Sequence, residues 1–447
     1  MQHLVLTGAT GRPPYHAAGR SEHRKGSGVT KPDVFDPRMF ARGIPHEEFR
    51  TLRDTAPVSW QDEHKVLDWP AGPGYWAVTR YADVRHVLRT PEVFSSWLGA
   101  TQIRDPDPGD LPFIRRMILN MDPPEHNRLR RLVTAVFTRR RLERFADQIA
   151  DRARALLLGV ADRGGCDLPV EVTDDFPLAN LADLLGVPLA DRALLLRWTN
   201  RVIGYQDPEH AEVVRDAAGR PVNPRSPAML ADMFGYARAL AGRKRAEPAD
   251  DLMTALVQAE VDGRALDDAE LEMFFFLVVI AGNDTVRSAL PGGVLALLEH
   301  PDQYRRLRAD PALLPTAVEE MLRWHPPVLS FRRTATRDVE LAGTRIRAGE
   351  KVVVYHVSAH YDERAFPDPF RFDVAREPND HLAFGQGPHL CLGAHFARLQ
   401  MRLFFAEFLR LPPVQPAGPA TRLTSNFING ITHLPLRWPR VAGSPAA

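Results

Sequence analysis

Two cysteines, Cys166 and Cys391, are all that the 447 residues contain. So small a number excludes a disulfide framework and suits a reducing cytosol. It also leaves no second cysteine pair for a structural zinc site. A dominant charge is lacking too, since 57 Lys and Arg stand against 56 Asp and Glu. No global field therefore recruits nucleic acid or an anionic membrane. Long apolar runs are missing: the longest, Met273 to Gly282, is about half of what spans a bilayer. No signal-peptide pattern, internal repeat or low-complexity block stands out. What remains, 44% hydrophobic and 25% charged, is the composition of a globular protein with a sizeable core. The expectation is a cytoplasmic, monomeric enzyme without a membrane anchor.

The stretch that organises the rest is Phe384 to Arg398, FGQGPHLCLGAHFAR. Glycines on both sides of Cys391 let backbone N–H groups turn towards one atom without Cβ interference. The helix-like run that follows, Ala394 to Leu409, would aim its positive end at the same sulfur. Both effects favour a thiolate, the form that binds metals or attacks carbon. Three readings compete: a small buried hydrophobe, a zinc ligand beside His381, His389 and His395, and the single axial thiolate of a haem iron.

Along the chain, His3 to Gly11 imitates the opening of a dinucleotide-binding fold, but Pro13 and Pro14 sit where its helix should begin. Residues 1–36 are expected to be a flexible extension. Helical periodicity is expected for His46–Asp54, Tyr81–Arg89, Met121–Phe137, Phe145–Asp162, Leu178–Leu185, Ala190–Ile203, Met229–Ala241, Asp250–Glu260 and Leu313–Trp324. Strands are expected for Val58–Trp60, Tyr75–Val78, Thr334–Thr336, Val339–Leu341, Thr344–Ile346 and Lys351–Tyr355. Phe94–Leu119 reads as a long loop, Gly204–Ala228 as a mobile one, and Ser425–Pro435 as a hairpin with its tip at Ile428–Ile431. The fold class is mainly α with a smaller β part.

Leu266 to His300 is the second anchor. Asp267 caps a helix whose centre, Phe274 to Gly282, is apolar on every face, which means burial. Asn283, Asp284 and Thr285 then need an explanation, because buried polar groups are costly unless paired or functional. Glu320 and Arg323 share one helix face at i and i+3. Arg128, Arg130, Arg131, Arg139, Arg140, Arg141 and Arg144 form a basic stripe.

Phe384, Gly385, Gly387, His389, Cys391 and Gly393 fill FGxGxHxCxG, which resembles the haem-binding loop of the cytochrome P-450 family. Three more motifs resemble that family in the same order: His126 with Arg130, the run Ala281-Gly282-Asn283-Asp284-Thr285, and Glu320 with Arg323. The resemblance implies one domain over residues 37–438 and a flexible tail over 439–447. It implies haem b (iron protoporphyrin IX) enclosed between the Asp267 helix and the helix after Cys391. Cys391 would be the axial ligand, with His126, Arg130, Arg333 and His389 on the propionates. Phe384, Gly385, Gly393, Ala281 and Gly282 would border the cofactor, the last two making room over the iron. Glu320, Arg323 and Arg376 would form a buried, structural ion-pair network. Ala359-His360-Tyr361-Asp362 departs from the usual Ala-Asn-Arg-Asp.

By the same resemblance the protein is a monooxygenase that uses O2. Thr285 and Asp284 would handle oxygen and protons, and the pair argues for reductant-driven rather than peroxide-driven chemistry. Electrons would come from NAD(P)H only indirectly, through a separate ferredoxin and ferredoxin reductase docking near the Arg128–Arg144 stripe. Phe94, Trp97, Val328, Phe331, Phe427 and Ile428 are the expected pocket for a hydrophobic substrate such as a sterol, terpenoid or lipid. The alternatives are a natural-product tailoring oxidase of polyketide type, a haem-binding protein without turnover, and a zinc or cysteine-nucleophile hydrolase.

Overall fold

The start of the central helix is fixed chemically. Asp267 accepts the Glu270 N–H at 2.8 Å while the Glu270 side chain accepts the Asp267 N–H at 3.0 Å, a reciprocal cap. The 32 residues that follow, Asp268–Glu299, are long and apolar enough to cross a membrane, but 61% of the most apolar window is buried inside the protein, as in a core helix.

The computed structural model describes residues 32–67, 69–203, 206–207 and 226–439. Residues 1–31, most of the Gly204–Ala228 loop and all of the expected tail but Pro439 lie outside the described residues. One boundary needs correction. Val34 and Phe35, assigned to a flexible extension, are buried in a cluster with Phe49, Tyr355 and Val357. The Val34 N–H also donates to Gln61 Oε1 at 3.2 Å.

The first elements are α1 (Pro37–Arg42), α2 (His46–Thr55), β1 (Val58–Gln61), β2 (Tyr75–Val78), α3 (Tyr81–Arg89), β3 (Phe94–Ser95), α4 (Leu111–Ile114), α5 (Glu125–Val136), α6 (Arg139–Glu143) and α7 (Ala146–Asp162). Next come β4 (Gly165–Asp167), α8 (Phe176–Leu185), α9 (Arg192–Ile203), α10 (Ala231–Ala246), α11 (Leu252–Gln258), β5 (Glu260–Val261), β6 (Arg264–Ala265), α12 (Asp268–Glu299), α13 (Pro301–Ala309) and α14 (Leu314–Trp324). The C-terminal part holds β7 (Ser330–Ala335), β8 (Val339–Leu341), β9 (Thr344–Ile346), β10 (Lys351–Tyr355), α15 (His356–Ala359), α16 (Ala394–Arg410), β11 (Gln415–Pro416), β12 (Thr421–Arg422), β13 (Ile431–His433) and β14 (Pro435–Arg437).

Helix α12 packs against α8, α9, α10, α14 and α16. Two adjacent glycines make that closeness possible. A Cβ on Gly292 would stand 2.2 Å from the His325 ring, and one on Gly293 would stand 2.7 Å from Phe405. The main sheet has the order β1-β2-β10-β7-β3, with β10 parallel to β2 and the other pairs antiparallel. Phe94–Leu119 is therefore not simply a loop, because β3 joins the sheet edge and α4 follows. The terminal hairpin is also shifted: Thr421 pairs with His433 and Arg422 with Ile431, so residues 423–430 form the turn. Ile428 lies within that turn and bridges to Val328.

Candidate active site

Cys391 lies three residues before Ala394, the first residue of α16, and its N–H donates to the Phe384 carbonyl at 2.9 Å. Gly385 and Gly387 adopt φ of 69° and 73°, the left-handed region where a side chain is strained. At Gly387 a Cβ would also meet the Leu88 carbonyl oxygen at 2.4 Å. Gly393 has no such restriction; its backbone N–H interacts with the Cys391 sulfur. Burial pushes the Cys391 thiol up, and the Gly393 amide, Arg130 and Arg398 pull it down only in part. A metal cation held by the sulfur would oppose this, since a coordinating thiol is deprotonated outright.

That sulfur lines a cavity of about 710 Å³. Among the expected residues, His126, Arg130, Arg333, His389, Ala281, Gly282, Asp284, Thr285, Phe384, Gly385 and Gly393 line it too. Val328, Phe331, Phe427 and Ile428 do the same. Leu181, Leu184, Val202, Phe276 and Ile280 add to an apolar wall that sequence reading missed. Phe94 and Trp97 do not belong there. Phe94 is wholly buried in the sheet core with Val84, Val87 and Val354. Trp97 is 39% exposed and stacks beneath the Arg115 guanidinium at 4.9 Å.

Four basic side chains gather on this cavity. His126 and His389 place their ring centres 4.4 Å apart. Arg333 is fully buried, and burial pulls its guanidinium down to about 10. Its recorded hydrogen bond is from Nη1 to the Arg332 carbonyl at 2.8 Å. The nearby acid Asp122 is engaged by Ser95 and by the Ser96 N–H at 2.8 Å. Burial likewise lowers Arg130. Buried cations without a carboxylate are costly, so this wall fits an anionic guest.

On α12, Asp284 is buried and its Oδ2 has no hydrogen-bond partner. Burial raises its carboxyl to about 7, against the pull of Arg287. The Thr285 hydroxyl donates to the Ala281 carbonyl at 2.8 Å, which leaves its lone pairs free to accept. Gly282 has a second reason to be small: a Cβ there would come within 3.2 Å of Leu181.

Beneath the cysteine loop, Glu320 and Arg323 are wholly buried and doubly bonded at 2.7 and 2.8 Å. Arg376 Nε joins Glu320 at 3.1 Å, and Asn379 and the Asp373 N–H complete the carboxylate's shell. The expected outward basic stripe is largely self-paired: Arg128 with Glu125 and Glu270, Arg131 with Asp262, Arg139 with Glu143, Arg144 with Asp250. Arg130 turns inward instead. Among the described residues no three of His, Cys, Asp and Glu come together as a metal-holding group, and His381 bonds Glu319 at 3.0 Å rather than sharing a site with Cys391.

The Cytochrome P450 family model matches residues 238–417. A steroid C26-monooxygenase of Mycobacterium tuberculosis is 38% identical over 411 residues, covering 90% of this chain and 91% of the relative. The chain belongs to the cytochrome P450 family. A methyl-branched lipid omega-hydroxylase of Mycobacterium tuberculosis is 41% identical over 397 residues, covering 87% of this chain and 90% of the relative. Among solved structures, a Mycobacterium marinum cytochrome P450 in complex with pseudoionone is 39% identical, with a TM-score of 0.80 over 92% of this chain and 100% of that one. Cytochrome P450 enzymes are haem-thiolate monooxygenases. The residues fit that cofactor: one cysteine faces the cavity, and the guanidiniums of Arg130 and Arg333, with the His126 and His389 rings beside them, match two propionates.

Proposed function

We propose that this P450 hydroxylates the aliphatic end of an elongated lipid, a sterol side chain or a methyl-branched chain, with electrons from a separate ferredoxin. One observation carries the reading: Cys391 and the Asp284–Thr285 pair line the same cavity, whose remaining wall beside α12 is aliphatic and aromatic. Cys391 would hold the iron, and His126, Arg130, Arg333 and His389 the propionates. When bound, the haem supplies the reductive activation of O2 that puts one oxygen atom into a C–H bond and releases the other as water. Leu181, Leu184, Val202, Phe276 and Ile280 exclude water and orient an apolar chain. Thr285, its proton held by the Ala281 carbonyl, acts as acceptor towards the cavity. Asp284 holds a proton near neutral pH and resupplies it to the Thr285 side.

The polar residues Gln102, Arg104, Asp105 and Asp107 also line the cavity. They suit the polar end of a substrate whose apolar end reacts. The acidic donor would approach α5 and α6, where the Arg131, Arg139 and Arg144 ion pairs are exposed. Exposed pairs are worth under about 1 kcal/mol, so a partner's acids can replace the protein's own. The test is a spectral titration of the haem-loaded protein with a sterol bearing its branched side chain and one lacking it. The expected result is a spin-state shift with the first only, and turnover that places a hydroxyl on the terminal carbons. Equal shifts, or oxidation on the ring system, would overturn the substrate orientation.

A further inference from the structure

Asp284 is 4% exposed, yet its Oδ2 is unpartnered. The cation at hand is Arg287, one turn further along α12, with Nη1 3.6 Å from Asp284 Oδ1. That guanidinium is engaged elsewhere. Its Nε lies 2.7 Å from Oδ1 of Asp174, which directly follows the Pro169–Thr173 turn. Its Nη1 donates to Asn200 Oδ1 on α9 at 2.9 Å. Side chains from two other segments therefore hold Arg287 short of a close pair with Asp284. A close guanidinium–carboxylate pair favours the ionised acid and would keep Asp284 from holding a proton.

The charges acting on Asp284 are Arg287, on its own helix, and Asp174. The neighbouring helices meet this turn of α12 with neutral groups: from α9, Asn200 against Arg287 and Thr199 against Asn283, and from α8, Leu181 beside Gly282. Burial is the largest influence and raises the carboxyl to about 7, with Arg287 opposing and Asp174 reinforcing it.

We propose that Asp174 and Asn200 are positioning residues that hold Arg287 outward, so that Asp284 remains free to take up and release a proton beside Thr285. The inference rests on the proton-handling role of Asp284 proposed above, but its test needs no turnover. Infrared spectra of the resting, haem-loaded protein should carry a band for a buried protonated carboxyl, assigned by its loss in Asp284→Asn. In the wild type the band should titrate near pH 7. Asp174→Asn should lower the midpoint by about one to three pH units. In an Arg287→Gln background the same substitution should move it much less, because the double cycle isolates what passes through Arg287. Asp174→Glu, which can regain the Nε contact, should restore the wild-type midpoint. Asn200→Ala should shift the midpoint in the same direction and carries the test if Asp174→Asn fails to fold. A wild-type midpoint in both variants, or equal shifts with and without Arg287, would overturn the proposal. The catalytic role of Asp284 is judged separately, by peroxide release in Asp284→Asn.

Discussion

His360 Nε2 accepts the backbone N–H of Leu382 at 2.8 Å, joining the residue that ends α15 to the segment that leads into the cysteine loop. Because Nε2 accepts, the ring proton sits on Nδ1, which donates to the Arg323 carbonyl at 2.9 Å. One wholly buried imidazole thus ties the Glu320–Arg323 network to the approach to Cys391.

This clasp predicts a pH effect. Burial holds His360 well below the ordinary histidine value of 6.5, so the folded protein gains no proton there while the unfolded chain does. Its contribution is complete above about 6.5 and is lost as pH falls below it. His360→Asn should lower stability at neutral pH by about 1–3 kcal/mol. It should also flatten the acid side of the stability profile by up to about 1.4 kcal/mol per pH unit. Urea unfolding on both sides of that pH measures both, and an unchanged acid slope would mean that His360 charges in the folded state.

Glu319 titrates the other way. Burial opposes its ionisation, but Arg398, at 2.7 Å through both Nε and Nη2, and His381 outweigh that and pull the carboxyl down to about 2. Its stabilisation is present above the ordinary value of 4.5 and is lost as pH falls from there towards 2. After allowance for solvent screening the effect is on the order of 1–2 kcal/mol. In Glu319→Gln, thermal unfolding should lose that part of its acid dependence; a profile parallel to wild type would refute the assignment.

Breaking the buried pair should be far more damaging. Glu320→Ala leaves Arg323 and Arg376 without their shared carboxylate, which typically costs about 3–5 kcal/mol. The measurement is haem content and melting temperature after purification. Full haem occupancy at a wild-type melting temperature would show that the network is dispensable.

How much of this was legible in the sequence depends on how local each signal is. The Asp267 cap, the Glu320–Arg323 spacing and the glycine-flanked Cys391 are short-range patterns with a chemical reason, and each was readable. Phe94 falls outside the pocket because an aromatic in a strand does not reveal which side faces a cavity, and β3 pairs with β7 some 240 residues away; Trp97, just past β3, meets Arg115 instead. The roles of His360, Arg287 and Asp174 rest on contacts between distant segments, which spacing does not encode. His360 was visible as a departure from the family pattern, and that was the signal available for it.

Thr285→Ala should uncouple the reaction. Without the hydroxyl that the Ala281 carbonyl orients, proton delivery weakens, and a relay group is typically worth about 10²–10⁴-fold in rate. The readout is peroxide released per reductant consumed, which should rise as product falls. Unchanged coupling would remove Thr285 from the relay.

The most direct test of the central claim is the absorption spectrum of the dithionite-reduced, CO-bound protein beside that of Cys391→Ala. Thiolate ligation through Cys391 predicts a strongly red-shifted Soret band in the wild type and its loss in the variant. A haem spectrum without that shift, or one that survives the loss of Cys391, would contradict the account.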